Sequence, residues 1–159
     1  MIEEKCFSAA LLDGAKEVFE TMVFMDLEES GESAPQIEGD SLLGSITFSN
    51  ALEGCLAVRC SMSCAKIVAA NMLGLEPTDE ISDEEIGDAI GEITNMVMGS
   101  VKSRATSEAA ELQVSIPTVV RGQNMANSLG EGAGKVVVTT SPDEEHVIEF
   151  SFLYRRSGS

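Results

Sequence analysis

The sequence predicts an α+β domain in which an antiparallel-rich sheet packs against two long helices related by an internal repeat. Three observations carry this. The segments come in blocks (helix, two strands, helix, helix, three strands), which disfavours a doubly wound parallel sheet. The strand-like runs are rich in β-branched residues or alternate in polarity. A shift of 75 residues lays one long amphipathic helix on the other, Leu11 falling on Ile86. With 159 residues, 43% of them hydrophobic, the chain suits one globular domain over residues 1–159.

The elements follow in order. Residues 3–26 read as a helix, with Phe7, Leu11, Ala15, Val18, Met22 and Met25 recurring at three- and four-residue steps. Residues 28–35 are polar and hold Gly31 and Pro35, so they read as a loop. Runs 42–49 and 55–60 are strand-like, and the short gap between them suggests a hairpin. Ser61 can cap a helix over 62–73, with Gly74 stopping it and Pro77 beyond. Ser82-Asp83-Glu84-Glu85 is a capping box that opens a helix over about 83–105. Runs 112–120, 135–140 and 147–154 read as strands. The stretch 122–134 has four glycines and two asparagines and reads as a loop.

Composition removes several classes of function. A formal charge of −17 opposes binding to nucleic-acid phosphates or anionic lipid heads. No apolar run reaches the ~20 residues of a membrane span. The first residues, Met1 to Lys5, lack the basic and apolar regions of a signal peptide, which points to the cytoplasm. Cys60 and Cys64 are spaced by three residues rather than the two of common zinc knuckles, so reduced, partly buried thiols fit better than a metal site or disulfide. His146 is the one histidine, at the start of a strand, which disfavours a His-based zinc site or His–Ser chemistry. No Walker loop, H-E-x-x-H or G-x-S-x-G motif is present.

The 83–105 helix carries the candidate site. On a wheel of ~100° per residue, Ile86, Ile90, Ile93, Val97 and Val101 fall within about 80° and form the buried stripe. Asp88, Glu92, Asn95 and Gly99 fall opposite, within about 60°. Glu92 and Asn95 are three apart, so their Cβ atoms lie ~5–6 Å apart and present a carboxylate beside a carboxamide. Gly91 and Gly99 flank the pair. Each glycine costs about 1 kcal/mol in a helix interior, and two on one exposed side have two explanations: a partner surface that approaches the helix backbone closely, or simple tolerance in a well-packed helix. The wheel by itself fits an ordinary solvated face better than a site.

The internal repeat bears on this. Leu11, Ala15, Val18 and Met22 fall on Ile86, Ile90, Ile93 and Val97; Asp13 falls on Asp88 and Glu17 on Glu92. The pattern suggests two halves about a pseudo-twofold axis. Glu20 falls where Asn95 stands, so a site that needs a carboxamide is lost from the first half.

Asp88-x3-Glu92-x2-Asn95, with Pro117 after 21 intervening residues, closely resembles the signature of the CheC/CheX/FliY phosphatases of bacterial chemotaxis. The gap to Pro117 is about one residue shorter than the family pattern. The single intact copy and the chain length make the resemblance closest to CheX. The resemblance implies a CheC/CheX-like fold and a phosphatase acting on the aspartyl phosphate of a CheY-type response regulator in two-component signalling. It implies that Glu92 pairs with the regulator's active-site lysine and that Asn95 orients a water for in-line attack. Asp88 and Pro117 would be supporting positions. The regulator would bring Mg²⁺ and the phosphoryl group, so the chain needs no cofactor or metal of its own. A homodimer joined through sheet edges is also implied, and the terminal strand 147–154 is an edge for it. Phosphoryl transfer rests mainly on positioning and charge stabilisation, so a neutral amide that aligns water can suffice. The alternative is a non-catalytic adaptor or flagellar-switch module of the same fold, related to the FliM middle domain, which has no need of the Glu92/Asn95 pair.

Overall fold

Side-chain caps set the main helix boundaries in the computed structural model, which describes residues 2–30, 37–76, 79–123, 125 and 133–157. Ser61 Oγ accepts the Cys64 amide at 3.1 Å and opens α2 (Met62–Leu73). Gly74 ends it in the left-handed conformation at φ 70°. Ser82 Oγ accepts the Glu85 amide at 3.1 Å, and the Glu85 carboxylate accepts the Ser82 amide at 3.3 Å. That closed capping box opens α3 (Asp83–Arg104). The first helix departs from its expected course. Helix α1 (Ile2–Val18) runs into a single π turn, Phe19–Val23, ended by Phe24 at φ 62°. The wider turn changes the phase of the apolar stripe. Phe19 and Val23 are buried, while Met22, expected inside, is 44% exposed.

Seven antiparallel-paired strands form one sheet: β1 (Glu28–Glu29), β2 (Ser41–Ser49), β3 (Leu52–Ser61), β4 (Gln113–Val114), β5 (Thr118–Gly122), β6 (Gly134–Ser141) and β7 (Ile148–Arg156). The order is β1-β6-β7-β3-β2-β4, with β5 also pairing β2. Three expectations need correction. Glu28 and Glu29 are not in a loop; they pair with Ser141 and Thr140 through their backbones, which leaves both carboxylates in solvent. Run 112–120 is not continuous: it is interrupted around Pro117, which has no amide to give a ladder, and β4 and β5 pair with opposite ends of β2. The terminal strand is not an edge. β7 lies between β6 and β3, and Phe150, Ser151, Phe152 and Leu153 are buried in succession. A short α4 (Ser107–Ala110), capped by Thr106, precedes β4. Residues 31–36, Pro77 and most of the 122–134 stretch lie outside the described residues.

Helices cover one face of the sheet. Helix α1 packs on β6 and β7, α3 on β2 and β3, and α1 and α3 pack on each other. Phe152 centres the core, stacked with Phe7 at 4.7 Å and with Phe48 at 4.9 Å between ring centroids. The repeat is visible in the topology. Apart from α4 and β4, which the second half inserts, each half runs helix, short strand, two long strands: α1–β1–β2–β3 and α3–β5–β6–β7. β3 pairs with β7, and the short strand of each half pairs with the second strand of the other. Cys6, Cys55, Cys60 and Cys64 form no disulfide, and all but Cys6 are buried outright. A hydrogen bond with Cys64, then burial, pushes the Cys60 thiol well up from its ordinary range. His146 ends the β6–β7 turn with Nδ1 2.9 Å from Asp143 Oδ2. No helix among the described residues is long and apolar enough to cross a membrane.

Candidate functional site

Helix α3 buries the stripe expected of it: Ile86, Ile90, Ile93, Val97 and Val101 are each 3% exposed or less. Burial extends round the helix to Thr94 and Met98. Thr94 Oγ1 donates to the Ile90 carbonyl at 2.7 Å, satisfying its hydroxyl inside the helix. Opposite this face, Asp88, Glu92, Asn95 and Gly99 are all exposed. None of Asp88, Glu92 and Asn95 has a hydrogen-bond or ion-pair partner among the described residues. A rigid, capped helix therefore holds a free carboxylate and a free carboxamide side by side.

Gly91 is the exception. It is buried, not on the exposed side. A Cβ built there would lie 3.5 Å from Val119 Cγ2 and 3.9 Å from Pro117 Cγ. On the wheel Gly91 stands about 40° from Asn95 toward Met98 and Thr94, and the segment leading into β5 covers that side. Gly91 thus touches Pro117 of this chain, and Pro117 is brought to the candidate face as a supporting contact. At Gly99, by contrast, a built Cβ meets nothing within 4 Å.

A groove of about 640 Å³ runs between the first half of α3 and β5, ending at Glu92. Glu84, Asp88 and Glu92 line its helix side; Pro117, Val119 and Arg121 line its strand side. Leu42 and Met62 add apolar surface. At its far end Arg121 donates to Asp40 at 2.7 Å and to Asp83 at 2.9 Å, tying β5 to the start of α3. The Arg121 hydrogen bond holds the Asp40 carboxyl below its usual range and raises the Arg121 guanidinium. The contact is complete above about pH 4 and is lost as the pH falls through the lowered folded value. Sequence reasoning missed Arg121 and Asp40, because nothing local ties residues 81 positions apart. Among the described residues no group of three or more His, Cys, Asp or Glu could hold a metal ion.

The first-half counterpart is built differently. Glu17, the equivalent of Glu92, is ion-paired with Arg104 of α3. Glu20, the equivalent of Asn95, is exposed in the π turn.

No curated protein matches the chain by sequence. Solved structures do match in fold. The chemotaxis protein CheX from Vibrio vulnificus aligns with 24% identity and a TM-score of 0.77, covering 94% of this chain and 96% of its own. A CheC-like superfamily protein from Shewanella sp. PV-4 aligns with 25% identity and a TM-score of 0.78, covering 94% and 97%. A third match, at 22% identity and a TM-score of 0.69 over 93% and 97%, is the CheX of a CheX–CheY–BeF3–Mg complex from Borrelia burgdorferi. Residues 42–141 match the family model described as chemotaxis phosphatase CheX. That stretch holds the groove, α3 and Pro117, and the chain belongs to the CheX family of chemotaxis phosphatases.

Proposed function

We propose that the protein hydrolyses the aspartyl phosphate of a CheY-type response regulator in the cytoplasm, acting as one domain over residues 1–159. The observation that carries this reading is the exposed Glu92/Asn95 pair, unpartnered on a helix locked by its capping box. Asn95 is the catalytic residue. Its amide enters the regulator's site, accepts or donates a hydrogen bond to water, and aligns the water oxygen with phosphorus. The P–O bond to the aspartate breaks as the new P–O bond forms, giving inorganic phosphate and a free carboxylate. Glu92 docks the helix by pairing with a cation of the regulator. The regulator supplies Mg²⁺, as the CheX–CheY–BeF3–Mg complex from Borrelia burgdorferi suggests. The protein works as a homodimer joined through a sheet edge, with β7 excluded because it is central.

The test is phosphate release from a phosphorylated receiver in Mg²⁺, with and without the protein. Acceleration supports the reading; tight binding of the receiver without acceleration would favour the adaptor instead. Glu92→Gln keeps shape and removes charge, and is expected to raise KM about tenfold, or about 1.4 kcal/mol of docking. Glu20→Ala is expected to leave kcat/KM within about twofold, as the first-half helix puts a carboxylate where α3 has Asn95. A large loss from Glu20→Ala would place a working site there.

A further inference from the structure

We propose that the groove between α3 and β5 receives a lysine- or arginine-bearing segment of the response regulator, as a second docking contact beside the catalytic pair. This inference rests on the phosphatase reading and extends its docking surface by about two helical turns.

The helix wall is the first argument. Glu84, Asp88 and Glu92 are spaced four apart, so each faces the next along one side of α3. Like charges at that spacing oppose helix formation by about 0.2–0.5 kcal/mol per pair. None of the three has a cationic partner among the described residues. The cation of the groove, Arg121, is already held by Asp40 and Asp83. The carboxylates are too dispersed to hold one metal ion, so the complementary occupant is an extended chain with a cationic head. The other surfaces suit its stem. Leu42, Met62, Pro117 and Val119 offer apolar area against which the methylenes of a lysine or arginine can lie.

Gly87 is the second, independent argument. It lines the groove between Glu84 and Asp88, and a Cβ built on it meets nothing within 4 Å. Its backbone is helical, so neither packing nor conformation within this chain calls for glycine there. A glycine in a helix interior costs about 1 kcal/mol relative to alanine. Close approach of an external chain to the α3 backbone accounts for that cost. The groove is also continuous with Glu92, the docking residue of the proposed site.

The experiment compares wild type, Gly87→Leu, Glu84→Lys and Asn95→Ala. It measures KM and kcat for phosphate release, and Kd for the receiver loaded with BeF3 and Mg²⁺. Gly87→Leu places a side chain in the groove and should melt at or above wild type, since leucine favours helix. Both groove variants are expected to raise KM and Kd at least tenfold, with kcat far less affected. Glu84→Lys should also flatten the loss of affinity with added salt. KM and Kd within twofold of wild type for both variants would overturn the proposal, while loss of turnover in Asn95→Ala left the phosphatase reading standing. Receiver binding without turnover by wild type would overturn that reading, and the two Kd values would then decide the groove separately.

Discussion

Asn95→Ala is expected to lose at least about 10²-fold in kcat for receiver dephosphorylation while folding as stably as wild type. The two halves of this expectation have separate causes. Asn95 is exposed and makes no hydrogen bond within the described chain, so truncating it removes no packing and strands no partner. Alanine is the best helix former, and the melting temperature should stay level or rise slightly. The loss is catalytic. A misplaced reacting group costs on the order of 10²-fold, and the amide is the one group proposed to place the water. Asn95→Asp sharpens the test. It keeps the shape but sets a carboxylate against the phosphoryl oxygens, so it should fail as badly as alanine. Receiver affinity should survive Asn95→Ala, because docking falls to Glu92. Wild-type kcat in Asn95→Ala would overturn the assignment.

Much of this site was legible because its signals are local. Ser61, Gly74 and the Ser82–Glu85 box act within one helical turn, and the observed α2 starts and stops, and α3 starts, where they dictate. The Ile86-to-Val101 stripe needed only the helical period. What escaped the sequence arose at a distance or from a change of period. The π turn at Phe19–Val23 moves Val23 into the position that an α-helix would give Met22. No residue type announces such a turn. Glu28–Glu29 joined the sheet through backbone bonds that its side chains do not report. β7 is central although the sequence suggests an edge, because the pattern within a strand does not say which strands pair along its two sides. Gly91 was read as exposed because the wheel ignores β5, whose approach through Pro117 and Val119 is set by pairing with β2.

On the proposed reading, the repeat leaves one site of two possible ones. The crossed topology places α1 over the second half's strands and α3 over the first half's. The two helices then pack on each other, and Arg104 of α3 reaches Glu17 of α1. The first-half carboxylate is therefore engaged inside the chain, whereas Glu92 has no partner among the described residues. On the proposed reading, the carboxylate at Glu20 and the ion pair of Glu17 both leave the first half without a working pair.

Gly44→Ala is expected to destabilise the fold by about 1–3 kcal/mol, the usual cost of overpacking a core. Gly44 lies on β2 directly under α3. An added Cβ would stand 2.3 Å from Thr94 Oγ1 and 3.1 Å from Ile90 Cγ2. Real Cβ atoms do not approach that closely, so α3 must lift or Thr94 must turn. Turning Thr94 breaks its hydroxyl bond to Ile90, and lifting α3 moves the backbone that carries Asn95 and Glu92, where a shift near 1 Å can cost on the order of 10²-fold in rate. Thr94→Ala alone should cost about 1 kcal/mol, for a buried hydroxyl bond whose carbonyl acceptor keeps its helical partner. It also removes the atom that Gly44→Ala would strike. The double variant should therefore be destabilised by less than the sum of the singles, with a coupling of at least about 0.5 kcal/mol. Equilibrium denaturation of all four proteins measures this coupling, and phosphate release from the same four reports the position of α3. Additive losses would mean that α3 does not rest on Gly44 through Thr94, and the placement of Glu92 and Asn95 would need another cause.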